Sequence, residues 1–363
     1  MGRRILIICV DGMGPDYLEA AATPNMDRMA RDGVFSIGRS VVPSVTNVNN
    51  VSIITGAPPR VHGITSNYWL DSATGRESYL ESPEFLCCPT VLERAREKGM
   101  STALLTSKKK LLRLLDAGAD YSLAAEAPSD EMMQRVGPAE DIYSAEVNLW
   151  LFRALRSVLR ERRPDMVYCA TTDWAMHMYA PQEDQSAQHI EGLDRVLGRI
   201  LDENPDLEIY LTADHGMSQK SRGVDIEKIL ERRGIRARAI PVIKDRYVAH
   251  HQNLGGASYV YLGNPELVPR AMETLQDVPG IEAVYDREAG AEVFDLMAER
   301  IGDILALGDK NTVFGSFADA EVRVRVRSHG SRHESAVPII ASGAGKDAHY
   351  RKNLDVAAHL FTD

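Results

Sequence analysis

Four stretches of the chain are apolar almost without interruption: "RILIICVDG" at 4–12, "STALLTS" at 101–107, "DMVYCATTD" at 165–173 and "LEIYLTAD" at 207–214. A strand apolar on both faces is one that helices cover from both sides, as in a parallel sheet. The last three runs each follow a helical or amphipathic stretch. The pattern predicts an α/β fold with a mostly parallel central sheet and helices on both faces, whose ligands sit beyond the carboxyl ends of the strands. An aspartate stands at the end of three of these runs: Asp11, Asp173 and Asp214.

From about 217 to 321 the texture changes. The segments "GVDIEKILERRGIRARAI", "GGASYVYLG" and "GIEAVYDREAG" predict short strands and helices with much surface charge. The expected division is a catalytic core of 1–216 and 322–363, with a smaller α+β cap inserted at 217–321. Where the core resumes, Val322, Val324 and Val326 alternate with Arg323, Arg325 and Arg327, which predicts a strand with one buried and one solvated face.

Composition narrows the function. A chain of 363 residues with 44% hydrophobic and 26% charged residues can bury a sizeable core. Its net charge of -10 repels nucleic acid and anionic membrane, so a small anionic substrate needs local cations or metal. The four cysteines lack the paired spacing of a zinc ribbon and read as reduced core residues. The apolar run after Arg3 and Arg4 is too short for a signal peptide, and no segment has the length of a membrane span; the cytoplasm is the expected compartment. A homodimer is the default assembly.

The chemistry gathers around the strand ends. "TTDWAMH" places Asp173 and His177 at i, i+4, on one face of a helical turn. "TADHG" puts Asp214 beside His215, and "SHGSRHE" supplies His333, with His329 held in reserve. With Asp11 this gives three aspartates and three histidines converging on one sheet edge, enough for two ions about 3.5–4 Å apart. In "VVPSVTNVNNVSIITG", Thr46 precedes an apolar run that predicts a buried helix. Two roles stand for it: a cap on that helix, or a metal-activated nucleophile.

The segments "CVDGMGPDYL", "TNVNNVSIITGAPPRVHGITSNYWLD", "TTDWAMH", "TADHGM" and "SHGSRHE" together resemble the alkaline phosphatase superfamily. Within it they resemble the nucleotide pyrophosphatase/phosphodiesterase branch, and most of all the phosphonoacetate hydrolases. The resemblance implies one metal on Asp173, His177 and His333 and another on Asp11, Asp214 and His215, with Thr46 as nucleophile and ligand of the second. Zinc is the first choice of divalent metal, with iron or manganese fitting the same ligands. Asn67 would donate to a phosphoryl oxygen in the transition state. Lys108 and Lys110, in "TSKKKLLRLL", match the pair that holds the substrate carboxylate, with His329 either supporting the metal ligands from behind or touching that carboxylate; Lys109 departs from the family pattern.

The implied reaction is cleavage of the carbon–phosphorus bond of phosphonoacetate to acetate and phosphate through a phosphothreonine. The alternative is a phosphodiesterase, nucleotide pyrophosphatase or phosphonate monoester hydrolase with the same core, in which Tyr68 and Trp69 would stack on a base. Two ammonium groups beyond the phosphorus favour the first reading. His62 reads as structural, and His250 and His251 as surface or gate.

Overall fold

The computed structural model describes residues 3–343 and 348–361. Seven strands form the central sheet, in the spatial order Val34–Arg39, Ala336–Ser342, Leu207–Thr212, Arg4–Cys9, Met166–Ala170, Thr102–Thr106, Tyr121–Ala124. The four apolar runs thus become four neighbouring strands, and these pair parallel, as does Tyr121–Ala124. Only Ala336–Ser342 runs antiparallel to both of its neighbours.

Alternation within the first strand explains the helices on both faces. Ile5, Ile7 and Cys9 enter one hydrophobic cluster, with Val48 and Val51 of the helix Thr46–Thr55 and Leu111 of Lys109–Leu115. Leu6 and Ile8 enter the opposite one, with Trp150 of Glu146–Glu161 and Leu193 of Asp184–Glu203. Every residue of Arg4–Cys9 is buried, so no polar side can face water.

A second, antiparallel sheet of four strands lies within 237–308, in the order Ala237–Pro241, Ala257–Leu262, Ile304–Gly308, Ile281–Asp286. Its Tyr259 and Leu305 join the same cluster as Ile5, whereas Val260 and Ile304 pack on Ile226, Leu230 and Leu275 of its own helices. The strand Glu321–Ser328 pairs antiparallel with Ser218–Val224 instead of joining the central sheet. The chain re-enters that sheet only at Ala336.

One buried amide holds the loop that follows Met166–Ala170. Asn148 accepts from the Thr172 backbone N–H at 2.9 Å and donates to the Thr172 carbonyl at 2.7 Å. Its Oδ1 also takes the Ser107 hydroxyl. Replacement by leucine strands two backbone groups where water cannot reach, at a cost of roughly 1–3 kcal/mol each. Asn148→Leu is expected to lower the midpoint of urea unfolding accordingly; an unchanged midpoint would show that the loop finds other partners.

Candidate active site

Asp11, Asp173 and Asp214 each lie two or three residues beyond the last residue of a parallel strand, which brings all three carboxylates to one edge of the sheet. Gly12 makes the first of these turns possible. It has φ +77°, and a Cβ there would stand 3.0 Å from that of Asp173, so a larger residue meets both strain and collision. The Gly12 and His215 backbone N–H groups both donate to Asp214 Oδ1, and Asn50 donates to Oδ2. Asp214 is therefore oriented from three sides.

Thr46 is the first residue of the helix Thr46–Thr55, and Val45 occupies the cap position with no side-chain cap bond. The capping role fails for this geometric reason. The Thr46 hydroxyl points instead to His215 Nε2, at 3.4 Å. As the first helical residue it also lies among N–H groups without intrahelical acceptors, at the positive end of the helix dipole, which suits an anion.

Three histidines present the same atom to the carboxylates. His177 Nδ1, His215 Nδ1 and His329 Nδ1 each lie 2.8–2.9 Å from a backbone carbonyl, of Arg327, Gly216 and Ser44 respectively. A carbonyl only accepts, so Nδ1 carries the proton in each and Nε2 is left as a lone pair. His177 Nε2 is 3.0 Å and His329 Nε2 3.5 Å from Asp173 Oδ2; His215 Nε2 is 3.3 Å from Asp11 Oδ1. His215 and His329 stack with ring centroids 3.6 Å apart.

His333, expected as the third ligand beside Asp173 and His177, does not reach them. It lies on the short 3-10 turn Arg332–Glu334, whose Glu334 turns inward to Lys220 at 2.8 Å and to Ser331. Neighbouring side chains on such a turn diverge by about 120°, so His333 faces outward, 31% exposed, and pairs with Glu282. His329, expected as a substrate contact, stands at Asp173 in its place. The Ser44 hydroxyl laces that loop to the one preceding Thr46, donating to the Ser331 carbonyl and accepting from Gly330.

Lys108 and Lys110 are both buried, while Lys109 between them is exposed. The Lys108 ammonium lies 2.9 Å from Asp173 and 3.7 Å from Asp11. Lys110 pairs with Asp245, which also takes His251 at 2.7 Å and the Asn67 amide at 3.2 Å. Asp245 was missed by sequence reasoning, and nothing in "VIKDRYV" marks it. His250 and His251 are buried, not on the surface; their adjacency was the one available signal. His62 is structural, bonded to Ser52 and to the Ile64 N–H.

The electrostatics call for cations. Burial, then the charges of Asp173 and Asp214, push the Asp11 carboxyl well above its usual range, and its two oxygens have no hydrogen-bond partner. Burial raises Asp214 to about 6. Burial also opposes charge on Asp173, yet the Lys108 ammonium holds it well below the ordinary value. Burial lowers His215 and His329, keeping both imidazoles neutral as ligands require. Three carboxylates here face one ammonium, and three imidazole lone pairs are aimed among them. Oxygen and nitrogen donors in this arrangement fit divalent ions, and Asp11, Asp214 and His215 lie close enough to share one.

Comparison with known proteins places the chain in a family. The family model of type I phosphodiesterase/nucleotide pyrophosphatase matches residues 5–332. Crystal structures of phosphonoacetate hydrolase from Sinorhizobium meliloti 1021, in complex with phosphonoformate or phosphonoacetate, superpose with TM-score 0.89 at 32% identity, covering 98% of this chain and 94% of that one. Murine ectonucleotide pyrophosphatase/phosphodiesterase 5 shares the fold, with TM-score 0.73 at 17% identity over 98% of this chain and 93% of that one. A bis(5'-adenosyl)-triphosphatase from Mus musculus is 24% identical over 244 residues, 63% of this chain and 51% of that protein. The chain thus spans about half of that relative's length. With the family's model matched from the first strand of the central sheet to the loop carrying His329, the chain belongs to the type I phosphodiesterase/nucleotide pyrophosphatase family of the alkaline phosphatase superfamily.

Proposed function

We propose that this hydrolase of phosphoryl groups cleaves the carbon–phosphorus bond of phosphonoacetate, giving acetate and phosphate. The observation that carries the reading is the pair of buried ammonium groups, Lys108 and Lys110, beside the carboxylate and imidazole cluster. Each ammonium is balanced by a carboxylate of the chain, Lys108 by Asp173 and Lys110 by Asp245, which keeps both charged in a buried site. Two cations fixed there suit a substrate with a carboxylate one carbon from phosphorus. The solved phosphonoacetate hydrolase, covered almost end to end, supports the same substrate class.

Two divalent ions, zinc in the first instance, would lie on Asp11, Asp214, His215 and Thr46 and on Asp173, His177 and His329, where they would screen phosphoryl oxygens and lower the pKa of the Thr46 hydroxyl. Thr46, its hydroxyl proton released to solvent, attacks phosphorus in line, forming a P–O bond as the P–C bond breaks. The electron pair left on carbon delocalises into the adjacent carboxylate, whose negative charge Lys108 and Lys110 stabilise. The carbon takes a proton from solvent and acetate leaves. Asn67 donates to a phosphoryl oxygen as charge develops there. Water then attacks the phosphothreonine, releasing phosphate and restoring the hydroxyl.

The phosphodiesterase alternative draws on the family relatives but finds less support in the aromatic residues. The Tyr68 ring is covered by the Lys244 ammonium, 3.7 Å from its centroid, and by the edge of Tyr79. Trp69 packs against Phe85.

Three outcomes test the reading. In phosphate-release assays on phosphonoacetate, Lys108→Ala and Lys110→Ala should each lose roughly ten- to hundredfold, while any turnover of a nitrophenyl phosphodiester falls far less; equal losses on both, or diester turnover alone, would make the protein a phosphodiesterase. Thr46→Ala should lose at least about a thousandfold and trap no radiolabel, whereas Thr46→Ser keeps measurable turnover. By elemental analysis after dialysis, His329→Ala should hold one zinc where the parent holds two, and His333→Ala should keep both; the reverse pattern would restore His333 as the ligand.

A further inference from the structure

The segment from Ile243 to Asn253 brings one imidazole into the site that the reaction above leaves unused. His250, on the four-residue helix Val248–His251, has its side chain 1% exposed, and neither Nδ1 nor Nε2 has a hydrogen-bond partner. Its neighbour His251 differs in this respect. His251 Nε2 meets Asp245 at 2.7 Å, and its Nδ1 accepts from the Asn253 N–H. Both nitrogens of His251 are spoken for, and both of His250 are free.

His250 faces the cluster directly. Its Nε2 is 3.6 Å from Asp173 Oδ1, and its ring centroid is 5.1 Å from that of His177, with Tyr143 on another side at 5.7 Å. Asp173, His177 and His250 each offer a ligand atom within 4.8 Å of the others. Buried imidazole nitrogens without partners are unfavourable. A divalent ion on Asp173 and His177 would supply what His250 lacks.

We propose that His250 is a further protein ligand of the ion held by Asp173, His177 and His329, so that loading this ion docks the segment 245–253 onto the central sheet edge. This rests on the metal-dependent reading above. The same segment also reaches the other end of the substrate site, since Asp245 takes Lys110 and Asn67. Thus one loop puts an imidazole where the phosphonate would bind and a carboxylate where the substrate carboxylate would bind. Four protein ligands close a zinc site in the manner of structural sites. His250, carried outside the central sheet, is the ligand that a phosphonate oxygen would displace.

The test is zinc titration of the metal-free chain against a chromogenic chelator, with hydrogen exchange of the amides of 245–253 measured with and without zinc. The parent should bind two zinc ions and slow exchange in this segment. His250→Ala should bind one of the two at least about tenfold more weakly, leave the other unchanged and lose the zinc-dependent protection. His250→Asp, which restores a ligand atom, should recover much of the affinity, which distinguishes coordination from misfolding. If the parent binds two ions and His250→Ala binds both equally well, the proposal is overturned while the metal reading stands. If the parent binds no zinc, both fall.

Discussion

Everything at the working edge of this protein depends on three carboxylates held together out of reach of bulk solvent. Asp11, Asp173 and Asp214 are each at most 1% exposed, and among the described residues Lys108 is the one ammonium that touches two of them. Like charges this close cannot all ionise in a dry site without cations. The fold accepts the cost because parallel strands deliver their carboxyl ends to the same edge, and the loops that follow have few directions to take. Gly12, Asn148 and Asn50 then hold each loop in place through backbone or carboxylate bonds.

The histidines follow a common rule. In His177, His215 and His329 a backbone carbonyl takes the Nδ1 proton, which commits Nε2 to the centre. This tautomer control comes from the loops themselves, so the orientation of these rings is set by the fold. The stacked rings of His215 and His329 link the two halves of the centre. Thr46 stands at the start of a buried helix with its hydroxyl on His215, at the helix end that favours an anion.

The region between the strands Ser218–Val224 and Glu321–Ser328 does more than flank the site. One face of its four-stranded sheet shares a hydrophobic cluster with the central sheet. Through Asp245, His250 and His251 it sends polar groups to both Lys110 and Asp173. The charged groups at this edge therefore come from both sheets.

Much of this was legible in the chain. The four apolar runs foretold four adjacent parallel strands, because a strand buried on both faces has no polar side to show. Asp11, Asp173, His177, Asp214 and His215 were visible because each lies within a few residues of a strand end, and local sequence dictates where a strand stops. Thr46 was marked by the buried helix behind it. The choice between His329 and His333 was beyond sequence, since two histidines four apart in "SHGSRHE" have equal claims until Glu334 turns in to Lys220 and rotates His333 outward. Asp245 and His250 were hidden for a related reason: Lys110 lies 135 residues from Asp245 and Asp173 lies 77 from His250, and only packing of one sheet against the other brings a carboxylate to Lys110 and an imidazole to Asp173. Short-range pattern determines which strands and turns exist; which distant side chains meet there is a property of the tertiary fold, because charge and hydrogen-bond partners are chosen by distance in space.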